Sequence, residues 1–185
     1  MITPIETQRL MLRRWHDADR EPMATIHADS EVMYWHGRGP MTREESDAAI
    51  DRYEEYFETH GFGFWAIERR SDGTLLGMTG LRHTDEPDRP DVPCVEIGWR
   101  LARSMWGRGY ATEAARAALV DGFERANLEE VLAWTAVTNA RSQAVMRKAG
   151  MVRDRARDFA MTSLPPGHPL RAHVLFRIGR AATGA

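Results

Sequence analysis

Residues 106–112, Trp-Gly-Arg-Gly-Tyr-Ala-Thr, set two glycines one residue apart, with an arginine between them and a threonine close behind. These residue types suit one task, the holding of an anion. Glycine lets a backbone come close to a bulky phosphate. Arg108 adds a full positive charge. Where a helix starts at such a point, its first N–H groups have no intrahelical acceptors, and the helix dipole adds partial positive charge. The run is either a phosphate or pyrophosphate cradle or a tight strand-to-helix connection.

The flanking residues supply both elements that this cradle needs. Upstream, Val95, Ile97, Trp99 and Leu101 alternate with Glu96, Gly98 and Arg100, the period of a strand. Downstream, Ala111, Ala114, Ala115, Ala118, Leu119 and Phe123 recur at helical spacing and form one apolar stripe. Glu113 falls in the first helical turn, where a carboxylate complements the dipole, and reads as structural.

Other chemistries find no pattern. The chain has no His-Glu-x-x-His pair, no Gly-x-Ser-x-Gly elbow and no Walker loop, and its 7 histidines are scattered. A metal site is not expected. The single cysteine, Cys94, excludes an intramolecular disulfide and a cysteine-ligated zinc. Gly107-x-Gly109 lacks the third glycine and the downstream acid of a dinucleotide fingerprint. With 185 residues, 43% hydrophobic content and a net charge of −2, the chain suits one globular domain with a sizeable core. It carries no basic excess that would point to nucleic acid. No apolar run is long enough for a membrane span, and the N-terminus lacks a signal-like segment, so a cytoplasmic location is expected.

Taken in order, Thr7 to Trp15 suit a first strand. Asp17 and Asp19 mark a helix start, and Met23, Ile26 and His27 share its face; His27 reads as a packed residue rather than a ligand. Val32 to Pro40 is aromatic, then glycine-rich, a half-turn of helix breaking into a loop. Thr42 and Glu45 form a capping box that opens a helix to about His60, stopped by Gly61. Phe62 to Glu68 and Thr74 to Arg82 are strands around a Ser71-Asp72-Gly73 turn. Asp85 to Pro93 is an exposed loop. Asn127 sits where the long helix should stop. Val131 to Val137 is a strand. Asn139 is a cap for a helix over Ala140 to Ala149, and Gly150 ends it. Met151 to Phe159 and His173 to Ile178 are two last strands around a turn at Pro165 to Pro169. The sum is an α/β (α+β) domain from residue 7 to 178, a mixed sheet of about seven strands with about four helices. Residues 179–185 read as a frayed tail.

Four segments together resemble the GNAT superfamily of N-acetyltransferases, and within it the RimJ/RimL-type branch. They are Thr7 to Arg13; Glu96 to Trp99 with Trp106 to Ala114; Asn139-x-x-Ser142-x-x-Val145-x-x-Lys148-x-Gly150-Met151; and His173 to Arg177. The resemblance implies a single GNAT-like domain that uses acetyl-CoA as co-substrate and no metal. It implies that the N–H groups of Trp106, Gly107, Arg108, Gly109, Tyr110 and Ala111, with Thr112 just beyond, hold the coenzyme A pyrophosphate. The main chain of Trp99, Arg100 and Leu101 would pair with the pantetheine arm, whose two amides match a free strand edge. Asn139 would reach the same arm, with Ser142 nearby. The partner is then an acceptor amine, from a protein N-terminus or a small molecule, and a homodimer is compatible with the branch.

Two positions depart from the superfamily pattern. Trp106 stands where Arg or Gln is usual. Met146 stands where many members carry a proton-donating Tyr, and Met cannot donate. Ser142 is the nearest replacement acid; otherwise the thiolate leaves unassisted, with a pKa of about 8.5. The reaction implied is direct attack by a neutral amine on the thioester in a ternary complex. It needs a base to take the amine proton and an N–H to stabilise the oxyanion. Glu96 is the candidate base, on the polar strand face with Gly98; its alternative is a carboxylate paired with an arginine. His83 and Asp85 are reserves. The missing Tyr leaves open a second reading, a non-catalytic acyl-CoA sensor of the same fold. The acceptor site is expected along Tyr34 to Gly39, Phe62 to Trp65 and Asp85 to Pro93.

Overall fold

The computed structural model describes residues 3–37, 39–85 and 93–180. Its elements run β1 (Ile5–Glu6), β2 (Leu10–Arg13), α1 (Arg20–Ala28), α2 (Ser30–Met33), α3 (Arg43–His60), β3 (Phe64–Arg69), β4 (Leu75–Thr84), β5 (Cys94–Leu101), α4 (Tyr110–Glu124), β6 (Glu130–Ala136), α5 (Ala140–Lys148), β7 (Val152–Arg153), β8 (Phe159–Ala160) and β9 (Ala172–Gly179). The strands join in one sheet in the order β1-β2-β3-β4-β5-β6-β9-β7, with β8 also paired to β9. All pairings are antiparallel except β5 with β6.

Alternation assigns the strand faces. Ile97 joins Ala115, Ala118, Leu119 and Phe123 of α4, Val131 and Ala133 of β6, Met146 of α5 and Ala149 at its C-cap in one buried cluster. On the other face, Met23 and Ile26 of α1 and Ile50 of α3 pack with Ala66 and Met78. Helices therefore cover both faces, and the sheet is the middle layer. Thr42 and Glu45 make both bonds of the expected capping box, and Gly61 closes α3 in a left-handed conformation.

Among the described residues, nine strands and five helices replace the expected seven and four, and the differences are local. The Met151 to Phe159 strand is broken by a 3-10 turn over Arg155–Arg157 into β7 and β8. A two-residue β1 precedes the first strand. The half-turn after Val32 is α2, capped by the Asp29 side chain, followed by a 3-10 turn over Tyr34–His36. Most of the Asp85 to Pro93 loop and all but the start of the 179–185 tail lie outside the described residues.

Candidate active site

The parallel pair makes the site. β5 and β6 are in register at one position only, Glu96 opposite Leu132. β5 meanwhile pairs with β4 along its whole length, from Thr84 opposite Cys94 to Gly77 opposite Leu101. Beyond Glu96 the edge of β5 that faces β6 therefore has no ladder partner among the described strands. Alternate backbone groups of this stretch, other than the Gly98 and Leu101 carbonyls that accept from the Thr79 hydroxyl and the Trp106 indole, are offered to whatever enters the gap.

The gap leads to the cradle. A 3-10 turn over Arg103–Met105 carries the chain to Trp106, and Gly109 caps α4. Gly107 and Gly109 have φ of +74° and +82°, a region costly for any residue with a Cβ, which explains both glycines. No side chain caps α4. The N–H groups of Gly109, Tyr110, Ala111 and Thr112 have no hydrogen-bond acceptor among the described residues. Four donors at the positive end of a 15-residue helix form an anion seat. The Trp106 indole N–H donates to the Leu101 carbonyl at 2.9 Å, and the Arg141 guanidinium stacks 4.9 Å from the Trp106 ring centroid. Trp at this position thus fastens the cradle to the end of β5.

The cradle is also clasped from the N-terminus. Glu113 accepts from the Thr7 hydroxyl at 2.6 Å, the Arg9 backbone N–H at 2.8 Å and Arg9 Nε at 2.7 Å. Burial raises the Glu113 pKa, but these bonds and the Arg9 charge outweigh it and leave the carboxyl below its ordinary value. Arg9 also donates to the Arg108 carbonyl and lies over the Tyr110 ring. This anchoring fits the structural reading of Glu113.

A cleft of about 990 Å³ follows the gap. Of the expected site residues, Glu96, Trp99, Arg100, Leu101, Trp106, Gly107, Gly109, Tyr110, Ala111, Thr112, Asn139 and Ser142 line it. Arg108 does not; it is exposed, and its backbone is held by Arg9. Asn139 is committed at both ends of its side chain. Its oxygen accepts from the Ser142 N–H at 3.2 Å as the α5 cap, and its nitrogen donates to the Thr135 hydroxyl at 2.9 Å. The Ser142 hydroxyl has no protein partner among the described residues, and Met146 is 1% exposed in the core beneath it.

Glu96 projects from β5 toward the face covered by α1 and α3. Arg82, opposite it on β4, donates from Nε to Glu96 Oε1 at 2.5 Å. The base candidate and the Arg-paired carboxylate are thus the same residue. His83 lies on the other face, bonded through Nδ1 to the Tyr56 hydroxyl and packed on His60 and Phe62. Neither His83 nor Asp85 lines the cleft.

The acceptor end is only partly where the sequence put it. Trp35, His36, Gly37 and Phe64 line it. Phe62 and Trp65 do not, because each is buried in core on the α4 side of β3. The opposite wall comprises Trp134 of β6, Met161, Ser163, Leu164 and Leu170 of the segment before β9, and His173. Sequence reasoning missed these residues. They come together through β6–β9 pairing, in which Ala136 sits opposite His173.

A parted parallel pair runs into an uncapped, glycine-lined helix start. The chain belongs to the GNAT family of acetyltransferases: the family described as "Acetyltransferase (GNAT) domain" matches residues 9–152. Among curated relatives, the uncharacterized N-acetyltransferase YnaD of Bacillus subtilis is 29% identical over 164 residues, 89% of each chain. Among solved structures, a GNAT-family acetyltransferase from Bacillus anthracis superposes with a TM-score of 0.80 at 24% identity, over 97% of this chain and 99% of that one. The spermidine N-acetyltransferase of Vibrio cholerae, solved in complex with CoA and spermine, has the same fold with a TM-score of 0.75 at 18% identity, over 96% of this chain and 99% of that one. The chain is an acyl-CoA-dependent acetyltransferase with acetyl-CoA as its co-substrate. Among the described residues no group of side chains could hold a metal ion, and no helix is long and apolar enough to cross a membrane.

Proposed function

We propose that this enzyme transfers the acetyl group of acetyl-CoA to a primary amine, of a small molecule or a protein N-terminus, by direct attack in a ternary complex. The observation that carries the proposal is the opening of β5 from β6 just beyond Glu96, directly above the four unpartnered N–H groups at the start of α4. It offers strand-edge groups for the two pantetheine amides and an anion seat for the pyrophosphate. When bound, acetyl-CoA supplies the activated acetyl group. The protein aligns the amine, removes its proton and provides N–H groups for the developing oxyanion.

Glu96 is the proposed base. It sits where the gap begins, on the face that the acceptor side of the cleft covers. Ser142 is the proposed proton donor to the departing thiolate, since its hydroxyl lines the cleft and Met146 has no proton to give. Within the family, the Thr7–Arg9 clasp on Glu113 and the Glu96 to Trp99 strand support placement in the RimJ/RimL-type branch, acting in the cytoplasm as one domain over residues 7–178.

The test is thiol release from acetyl-CoA across a panel of amines, amino acids and N-terminal peptides, with calorimetric binding of coenzyme A alongside. Turnover is expected with part of the panel. Glu96→Gln should lower kcat by about 10²- to 10⁴-fold while coenzyme A binding persists. A variant with wild-type kcat removes Glu96 as base, and a protein that fails to bind coenzyme A removes the site assignment.

A further inference from the structure

The sequence places the cation of the anion loop at Arg108, and the structure leaves that side chain exposed and outside the cleft. Trp106, where the family pattern has Arg or Gln, brings no charge either. A cation from another element stands at the loop instead. Arg141, in the first turn of α5, lies with Cζ 4.9 Å from the Trp106 ring centroid. Trp106 follows β5 and α5 follows β6, so this contact joins the two sides of the gap.

Trp106 is held as a platform. Its indole N–H donates to the Leu101 carbonyl at 2.9 Å, and its ring is half-buried against the clusters that contain Leu101 and Met78. The guanidinium meets the ring by its face, which uses none of its N–H donors. Arg141 is exposed, and it has no hydrogen bond or ion pair among the described residues. Its planar edge is therefore open to a bidentate acceptor, the shape that a phosphate offers. Arg141 lines the same cleft as Gly107, Gly109, Tyr110, Ala111 and Thr112. Gly109 is three residues beyond Trp106, at most about 11 Å along the chain. The guanidinium edge and the four unpartnered N–H groups at the start of α4 thus border one space. The helix start offers partial charge and Arg141 a full one. Lys148 lies two turns further along α5, about 10 Å away, and also lines a depression outside α4 with Arg9 and Arg116. Arg141 is therefore the cation on the Trp106 side of the cradle.

We propose that Arg141, laid flat on Trp106, is a side-chain ligand of the coenzyme A pyrophosphate, and that Trp106 is the positioning residue that holds it there. The inference rests on the anion seat proposed above and adds to it a group from the far side of the gap. It also gives the Trp at position 106 a task. A charge carried on the loop itself is replaced by an aromatic surface that presents a charge from α5.

Calorimetry compares coenzyme A, dephospho-coenzyme A, which keeps the pyrophosphate, and pantetheine, which has no phosphate. Arg141→Gln should bind the first two about 5- to 30-fold more weakly and pantetheine within about twofold of wild type. Without ligand it should melt within about 3 °C of wild type. Arg141→Lys, which keeps the charge but loses the planar fork, should fall between the two. Wild-type affinity for coenzyme A should fall more steeply with added salt than that of Arg141→Gln. Trp106→Phe keeps a ring and should keep most of the Arg141 effect. In Trp106→Leu, which loses the platform, adding Arg141→Gln should weaken binding by no more than about twofold further. Equal affinity of wild type and Arg141→Gln for coenzyme A overturns the inference and leaves the anion seat standing. So does an equal loss with pantetheine, which would make Arg141 a support of the fold, or a loss confined to coenzyme A, which would place it at the 3′-phosphate. Full additivity of Trp106→Leu and Arg141→Gln overturns the positioning role of Trp106. A wild-type protein that binds coenzyme A no better than pantetheine overturns the anion seat itself.

Discussion

Asn139 was expected to touch the pantetheine arm, yet its side chain is tied into the protein at both ends, and a pair of substitutions separates the two roles. In Asn139→Ala the Ser142 N–H loses its cap, a cost of about 1 kcal/mol. The Thr135 hydroxyl, in a residue 8% exposed, loses its donor, a further cost of about 1–3 kcal/mol. Both residues line the cleft, so water reaches the emptied position and holds the sum to about 2–3 kcal/mol. For a chain of 185 residues that is a Tm lower by roughly 4–12 °C. Asn139→Asp keeps an acceptor for the Ser142 N–H, lets the Thr135 hydroxyl turn round and donate, and places negative charge at a helix start. Its stability should lie within about 1 kcal/mol of wild type. Thermal melts of the three proteins without ligand, followed by calorimetry with coenzyme A, make the comparison. If the amide has a remaining N–H on the pantetheine, the Asp variant is stable but binds about 2- to 10-fold more weakly. An Ala variant that melts with wild type, or an Asp variant as unstable as Ala, refutes the capping argument.

Asp19 is 3% exposed and takes both guanidinium nitrogens of Arg13, at 2.7 and 2.8 Å. Burial raises its pKa, but the Arg13 bonds, the His16 N–H and the Arg13 charge together lower it further. A carboxyl with a folded pKa below its unfolded value stabilises fully above about pH 4 and loses that contribution as pH falls through the folded pKa. Asp19→Ala should therefore cost about 3–5 kcal/mol at neutral pH in denaturant unfolding, with the deficit shrinking below pH 4. Gly80→Ala should be more disruptive, because the new Cβ would stand 2.0 Å from the Gly63 carbonyl oxygen and only backbone movement relieves it. Loss of soluble folded protein, or a Tm fall beyond 10 °C, is the expected readout; a near-wild-type melt contradicts the β3–β4 register.

The cradle and its two flanking elements were legible because each rests on a local rule. Glycines at 107 and 109 answer a positive φ, the alternation from Val95 to Leu101 answers the pleat, and the alanine stripe answers the helix period. The caps at Thr42 and Asn139 were legible for the same reason. What escaped is either too short or too distant to leave a pattern. β1, β7 and β8 are two residues each, below any periodicity. The His27–Arg100 bond joins residues 73 apart in sequence, and a buried histidine looks like any core residue until its partner is seen. The Glu96 alternatives could not be ranked from sequence, since its Arg82 partner is fixed by β4–β5 register. Arg108 reads as a ligand because a cation inside an anion loop invites that reading; in the structure its side chain is exposed and its carbonyl is held by Arg9.

With one register pair between β5 and β6, the sheet is two ladders that share a seam. The first ladder, β1 to β5, is wholly antiparallel between strands consecutive in the chain, although α1 to α3 lie between β2 and β3. The second, β6 with β9, β7 and β8, draws on the last third of the chain. Across the seam, cohesion comes chiefly from apolar packing among Ile97, Leu119, Phe123, Val131 and Val174, which is non-directional and yields to small slips as a hydrogen-bond ladder does not. Hydrogen exchange should therefore divide the sheet into two units, with the amides of Gly98 to Leu101 that face β6 exchanging fastest within β5. A molecule wedged along that line ties the halves together and stabilises the fold by mass action. The line proposed to receive the co-substrate is thus also the line along which the empty protein is expected to give way first.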